Sequence, residues 1–139
     1  MKTFLYILLI GILFSSFKKD EKKITAELAN IEYYSKGICK DTTLIYVRVL
    51  YKVKGEKLEL LKMKHNFPNG ISSTMPVTEI NKKGNPVYAF CIGHSEIKEF
   101  STVFISSEGK TSNRIFIKIN VPDAEIIPGT APETLKFKK

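Results

Sequence analysis

Residues 45–54 read IYVRVLYKVK, and this stretch decides the fold. One side of an extended chain would carry Ile45, Val47, Val49, Tyr51 and Val53, and the other side Tyr46, Arg48, Leu50, Lys52 and Lys54. β-Branched and aromatic side chains with a period of two are typical of a strand that buries one face. The sequence therefore predicts a strand whose second face, with Tyr46 and Arg48, points away from the core.

Similar stretches recur on both sides of this strand, with turn-forming residues between them. Further strands are predicted at about 24–34, 57–67, 71–80, 87–92, 100–106 and 115–121. In the first of these, Ala26-Glu27-Leu28-Ala29 also fits a helical turn. Pro76 indicates an edge strand, since proline cannot donate to a ladder, and a change of phase at Leu60–Leu61 predicts a β-bulge. About seven strands without an amphipathic helix after residue 35 predict an all-β, antiparallel β-sandwich.

The chain of 139 residues divides into four predicted parts. The periodic pattern defines one domain over residues 24–121, which suits a chain of this length. Residues 18–23, KKDEKK, form a charged tether. Residues 122–139 contain three prolines and end in lysines, so they are predicted to be an extended basic tail.

Residues 1–17, MKTFLYILLIGILFSSF, have the layout of a secretory signal peptide. Lys2 supplies the positive charge, and the apolar run that follows is shorter than the roughly 20 residues of a bilayer-spanning helix. A buried N-terminal helix is the alternative, but such a helix would have no polar face to present to water. The sequence thus predicts export.

Residues 13–20, LFSSFKKD, resemble a lipoprotein signal of the Bacteroidota type, in which leucine and small residues precede a cysteine that is followed by Lys and Asp. Phe17 stands in the place of that cysteine, so the thiol that would carry the lipid is absent. The resemblance implies a lipoprotein-like precursor and an extracytoplasmic location: the periplasm, the outer membrane surface or the medium.

The end of the predicted domain resembles the last hairpin of a fibronectin type III or related immunoglobulin-like module. The resemblance lies in FSTVFIS at 100–106, the loop EGKTSN at 108–113, and RIFIKINV at 114–121. The chain has no Trp, and Phe100 and Phe104 stand where such modules usually have a tyrosine. An unrelated sandwich or a small barrel is the alternative fold.

The only two cysteines are Cys39, before the second predicted strand, and Cys91, near the end of the fifth. In the immunoglobulin-like arrangement these strands are antiparallel neighbours, so the resemblance brings the two thiols together. An oxidising compartment would then favour a disulfide between them. Two separate buried thiols are the alternative.

No motif in the sequence predicts catalysis, a metal or a cofactor. His65 and His94 are the only histidines, and neither has the spacing of a metal site. Gly109-Lys110-Thr111 resembles the end of a phosphate loop, but Phe104 occupies the position of its first glycine. Of the tyrosines, Tyr46 beside Arg48 is the best candidate for a binding surface, with interstrand packing as the alternative.

The net charge of +8 comes mostly from the ends of the chain, because residues 24–133 hold 14 Lys and Arg against 12 Asp and Glu. Arg48 and Arg114 are the only arginines, which disfavours nucleic acid, since its recognition relies on the arginine fork. The basic ends are suited to contact an anionic membrane surface or a wall polymer.

These features together predict a non-enzymatic extracytoplasmic β-sandwich module, which binds a protein or glycan or serves as a structural accessory at the cell envelope. A small secreted inhibitor or immunity-type protein is the main alternative, and an enzyme with a site assembled across strands is less favoured. Fold alone does not choose among these functions.

Overall fold

The computed structural model of the chain describes residues 23–121 and 125–137. The predicted signal peptide and tether, except Lys23, lie outside the described residues. The strands of the described part are β1 (Thr25–Lys36), β2 (Ile45–Lys54), β3 (Lys62–Asn66), β4 (Ser72–Pro76), β5 (Glu79–Ile80), β6 (Val87–Ile92), β7 (Ile97–Ile105), β8 (Ile115–Asn120), β9 (Ile126–Thr130) and β10 (Leu135–Lys136). The all-β prediction is therefore confirmed.

The longer strands form two four-stranded sheets. Sheet I has the order β6-β2-β1-β9 and sheet II the order β4-β3-β7-β8, while β10 pairs with β5. All of these pairs are antiparallel except β1 with β9. Alternate residues of both sheets join one apolar cluster, in which Val47, Val49 and Phe104 are fully buried. Two sheets that face each other across one core make a β-sandwich.

The second strand ends as Gly55 predicts, but the predicted bulge at Leu60–Leu61 is wrong. Leu58–Leu60 form a 3-10 turn, closed by the Leu61 amide donating to the Leu58 carbonyl. The turn leaves Leu60 exposed and brings Leu61 into the core, which accounts for the change of phase in the sequence. The β1–β2 ladder is instead irregular between Leu28 and Asn30.

The described part of the predicted tail, residues 125–137, pairs with the domain. Residues 126–137, called the strap below, contribute β9 to the edge of sheet I and β10 to the short pair with β5. Ile126 and Phe137 pack against the core, and the Phe137 amide donates to the Thr78 carbonyl. The apolar side chains of Ile126 and Phe137 therefore hold the two ends of the strap to the sandwich.

A polar network crosses the core between the two sheets. The hydroxyls of Tyr51 and Thr102 are hydrogen-bonded at 2.8 Å, and His65 Nδ1 lies 2.9 Å from the same Thr102 oxygen. The His65 ring stacks on the Tyr88 ring with centroids 3.8 Å apart, and the rings of Tyr51 and Phe104 pack edge to face. Burial, with the nearby Lys98 charge, lowers the pKa of His65 to about 4, and burial also raises the pKa of Tyr51. His65 is therefore neutral in the folded chain at pH 7.

Cys39 and Cys91 form the disulfide that the sequence predicts, with their Cα atoms 6.0 Å apart. The bond ties the loop between β1 and β2 to the edge strand β6, where Cys91 lies opposite Tyr46. Gly37 in the same loop lies against the Tyr46 ring, and a Cβ at Gly37 would come within 2.4 Å of that ring. The loop is thus fixed closely over one end of sheet I.

Replacing both cysteines by serine should lower the free energy of unfolding by about 4 kcal/mol. The bond closes a loop of 52 residues, and this cross-link lowers the conformational entropy of the unfolded chain. Urea denaturation of the parent and the double variant measures the difference. Cys39→Ser alone should equal the double variant if the loss comes from the cross-link. An unchanged midpoint in the double variant would contradict the prediction.

Acidification should destabilise the fold through His65. Its pKa is 6.5 ordinarily and about 4 in the fold, so the unfolded chain binds a proton first. The stability that His65 contributes is complete above pH 6.5 and is lost as the pH falls toward 4, by as much as about 3 kcal/mol. We expect His65→Gln, which does not titrate, to lose less stability than the parent between pH 7.5 and 4.5 in urea denaturation. Equal losses in the two proteins would rule this explanation out.

Candidate binding surface

The predicted surface at Tyr46 and Arg48 lies on the outer side of sheet I, but the strap covers part of it. Tyr46 is half-buried, and Arg48 is only 2% exposed. The Arg48 Nη1 donates to the carbonyl of Pro132 at 2.9 Å. Arg48 therefore faces away from the core, as predicted, and yet does not reach solvent, because a distant part of the chain packs over it.

Two tyrosines, Tyr34 and Tyr46, lie near the Arg48 guanidinium. The Tyr34 hydroxyl donates to the Glu32 carboxylate, and its ring lies 6.5 Å from that of Tyr46. Burial and the Glu32 bond raise the pKa of Tyr34 to about 12, while the Arg48 charge acts in the opposite direction. Arg48 Nε is buried without a hydrogen-bond partner among the described residues. The arrangement attaches the strap to sheet I and leaves little surface for a ligand.

Arg48→Ala should loosen the strap, because it removes the charged hydrogen bond that holds the Pro132 carbonyl. We expect amide exchange at Gly129 and Phe137 to speed up by about tenfold or more, as loss of a hydrogen bond from a charged donor implies. Lys52→Ala, on the same side of β2 but exposed, is the matched control. Unchanged exchange in the strap of the Arg48 variant would show that this bond does not hold it.

The outer side of sheet II carries a row of side chains that crosses all four strands. The register aligns Ser72, Asn66, Ser101 and Phe116 from β4 to β8. Phe116 is 78% exposed, although its neighbours Ile115 and Ile117 are buried in the core. A large apolar ring on the polar side of an amphipathic strand is unfavourable because it exposes apolar surface to water. Such exposed apolar groups often mark sites of interaction.

A groove of about 390 Å³ lies beside this ring, between the turn that follows β3 and the strands β7 and β8. We call it the Phe116 groove, and its walls include Asn66, Phe67, Pro68, Glu99, Ser101 and Phe116. Arg114 and Lys118 also line it. Its size falls in the range of sites that hold small molecules or segments of polymers.

Basic residues dominate this side of the sandwich. The four strands of sheet II contain one acidic residue, Glu99, which lies 3.6 Å from the Lys118 amine. Lys62 and Lys64 occupy the outer side of β3, as their register against Ile105 and Val103 shows. The groove therefore combines one exposed ring with cations on both sides.

The predicted binding residues are Tyr46 and Arg48 and do not include Phe116. The alternation of the apolar residues Ile115, Ile117 and Ile119 nevertheless assigns Phe116 to the outer face of its strand. Tyr33 and Tyr51 belong to the core, and Tyr88 packs against it.

Nothing among residues 23–121 and 125–137 points to a metal site, since no three His, Cys, Asp or Glu side chains there converge. No helix in this part of the chain is long and apolar enough to cross a bilayer. A comparison with protein-family models, curated proteins and solved structures finds no match to the chain. The candidate surface therefore rests on its geometry alone.

Proposed function

We propose that the protein is a non-enzymatic extracytoplasmic binding module that recognises its ligand at the Phe116 groove. The observation that carries the proposal is Phe116 itself, 78% exposed at the end of a row of polar side chains on an otherwise regular sheet. The other broad sheet face is closed in part by the strap, through Arg48 and Pro132. Sheet II thus offers the more accessible face for a partner.

The arrangement of the strands supports an immunoglobulin-like module of the fibronectin type III kind. The first, second and fifth predicted strands, now β1, β2 and β6, lie in one sheet. The third, fourth, sixth and seventh, now β3, β4, β7 and β8, lie in the other. This division agrees with the arrangement that the resemblance of residues 100–121 implies.

The Cys39–Cys91 bond supports an extracytoplasmic location, because structural disulfides persist mainly in oxidising compartments. Fractionation of the cells that make the protein, with mass analysis of its N-terminus, tests this part. We expect a chain that lacks the first 16 or so residues, as signal-peptide cleavage implies. An intact Met1 in a cytoplasmic protein with two free thiols would overturn it.

Binding is tested with isolated cell envelopes and the purified full chain. Phe116→Ala should lower retention by about fivefold, as loss of a buried aromatic contact implies. Ile38→Ala, at an 81% exposed position in the loop between β1 and β2, is the matched control and should retain parent binding. The substitution of an exposed side chain should change the free energy of unfolding by less than about 0.5 kcal/mol. Parent-like retention of the Phe116 variant would contradict the assignment of the site.

A further inference from the structure

The outer face of sheet II is basic, while the rest of the domain is nearly neutral. That face carries Lys62, Lys64, Arg114 and Lys118 against one acidic residue, Glu99. Residues 24–133 contain 14 basic and 12 acidic residues in total, which leaves ten basic and eleven acidic residues elsewhere. A domain of small net charge thus presents a positive face, and such a face attracts an anionic partner.

The cations stand in two rows on either side of β7, whose outward side chains are uncharged except for Glu99, which lies beside Lys118. Lys62 and Lys64 follow each other on the outer side of β3, about 7 Å apart as alternate strand residues are. Arg114 and Lys118 lie on the far side of β7, on or just before β8, so the rows are about 10 Å apart. Two parallel rows suit an extended polyanion better than a single small anion.

The strands β3 and β4, across β7 from Phe116, carry side chains that can bind hydroxyl groups. Asn66 on β3 and Ser72 on β4 are aligned with Phe116 through Ser101, and neither side chain hydrogen-bonds to another described residue. Amide and hydroxyl groups of this kind both donate and accept. An exposed ring next to free polar groups is the combination that binds a sugar, whose faces carry C–H bonds and whose rim carries hydroxyls.

We propose that the Phe116 groove binds an acidic polysaccharide, with uronate carboxylates paired to its cations. Phe116 packs on the face of a sugar ring, Asn66 and Ser72 hydrogen-bond to hydroxyls, and Lys64 and Arg114 pair with carboxylates on either side. This inference rests on the proposed function and names its ligand class.

An acidic protein would satisfy the charge of this face but fits its apolar content less well. The centre of a protein interface is usually an apolar patch of several residues. Phe116 is the only residue of β8 that is both apolar and exposed, and the apolar residues Phe67 and Pro68 on the opposite wall of the groove are separated from it by the polar Ser101 and Asn66. A groove of about 390 Å³ accommodates sugar units of a chain that continues along the sheet.

The test uses polygalacturonate, in which each sugar carries a carboxylate, and its fully methyl-esterified form as the uncharged polymer. Titration calorimetry with the purified full chain should show binding to the acid polymer and at least about tenfold weaker binding to the ester. Lys64→Gln with Arg114→Gln should weaken binding by about tenfold or more, and Phe116→Ala by about fivefold. Lys82→Gln with Lys83→Gln removes the same charge from the turn between β5 and β6 and should leave affinity within about twofold.

Three results would overturn the ligand class: no binding of the acid polymer, equal binding of the ester, or equal losses in the two charge variants, which would indicate simple ion exchange. The envelope assay separates this failure from that of the proposed function. If the polymer is not bound but Phe116→Ala still lowers envelope retention, the groove binds another partner, such as an acidic protein. If Phe116→Ala changes neither measurement, both the ligand class and the site are wrong.

Discussion

The two sheets are joined at the centre of the core by a hydrogen bond between the hydroxyls of Tyr51 and Thr102, 2.8 Å apart. A buried hydroxyl without a partner costs free energy, so each of these residues constrains where the other can lie. His65 on β3 also lies within hydrogen-bond distance of the Thr102 hydroxyl on β7, and its ring stacks on Tyr88 on β6. The same network therefore constrains four strands, two from each sheet. The spacing and register of the sandwich therefore depend on one polar network inside an apolar core.

This constraint positions the outer faces as well. Because Thr102 must point inward, Ser101 points outward, and the ladder of β7 with β8 then aligns Phe116 beside it. The same ladder with β3 adds Asn66. On each of these two strands the outward residue is the immediate neighbour of a residue of the inner network. Asn66 follows His65 on β3, and Ser101 precedes Thr102 on β7.

The two outer faces differ because only one of them is covered by the chain itself. The strap packs on sheet I, where the Pro132 carbonyl accepts from Arg48 and the disulfide holds the neighbouring loop. Much of the fold was predictable from local signals, namely the alternation in β2 and the glycine turns, while the pairing of the two cysteines was implied by the resemblance to an immunoglobulin-like module. The 3-10 turn at Leu58–Leu60 was not predictable, since a local turn and a bulge produce the same change of phase.

The periodicity of the sequence shows which residues of a strand point inward and which outward, because side chains alternate along a strand whatever the strand packs against. It therefore assigned Tyr46, Arg48 and Phe116 alike to outer faces. Only the tertiary structure decided that Arg48 is 2% exposed and Phe116 78% exposed. Arg48 is shielded from solvent by the strap, whose Pro132 is 84 residues away in the chain. Strand periodicity carries no information about such a contact.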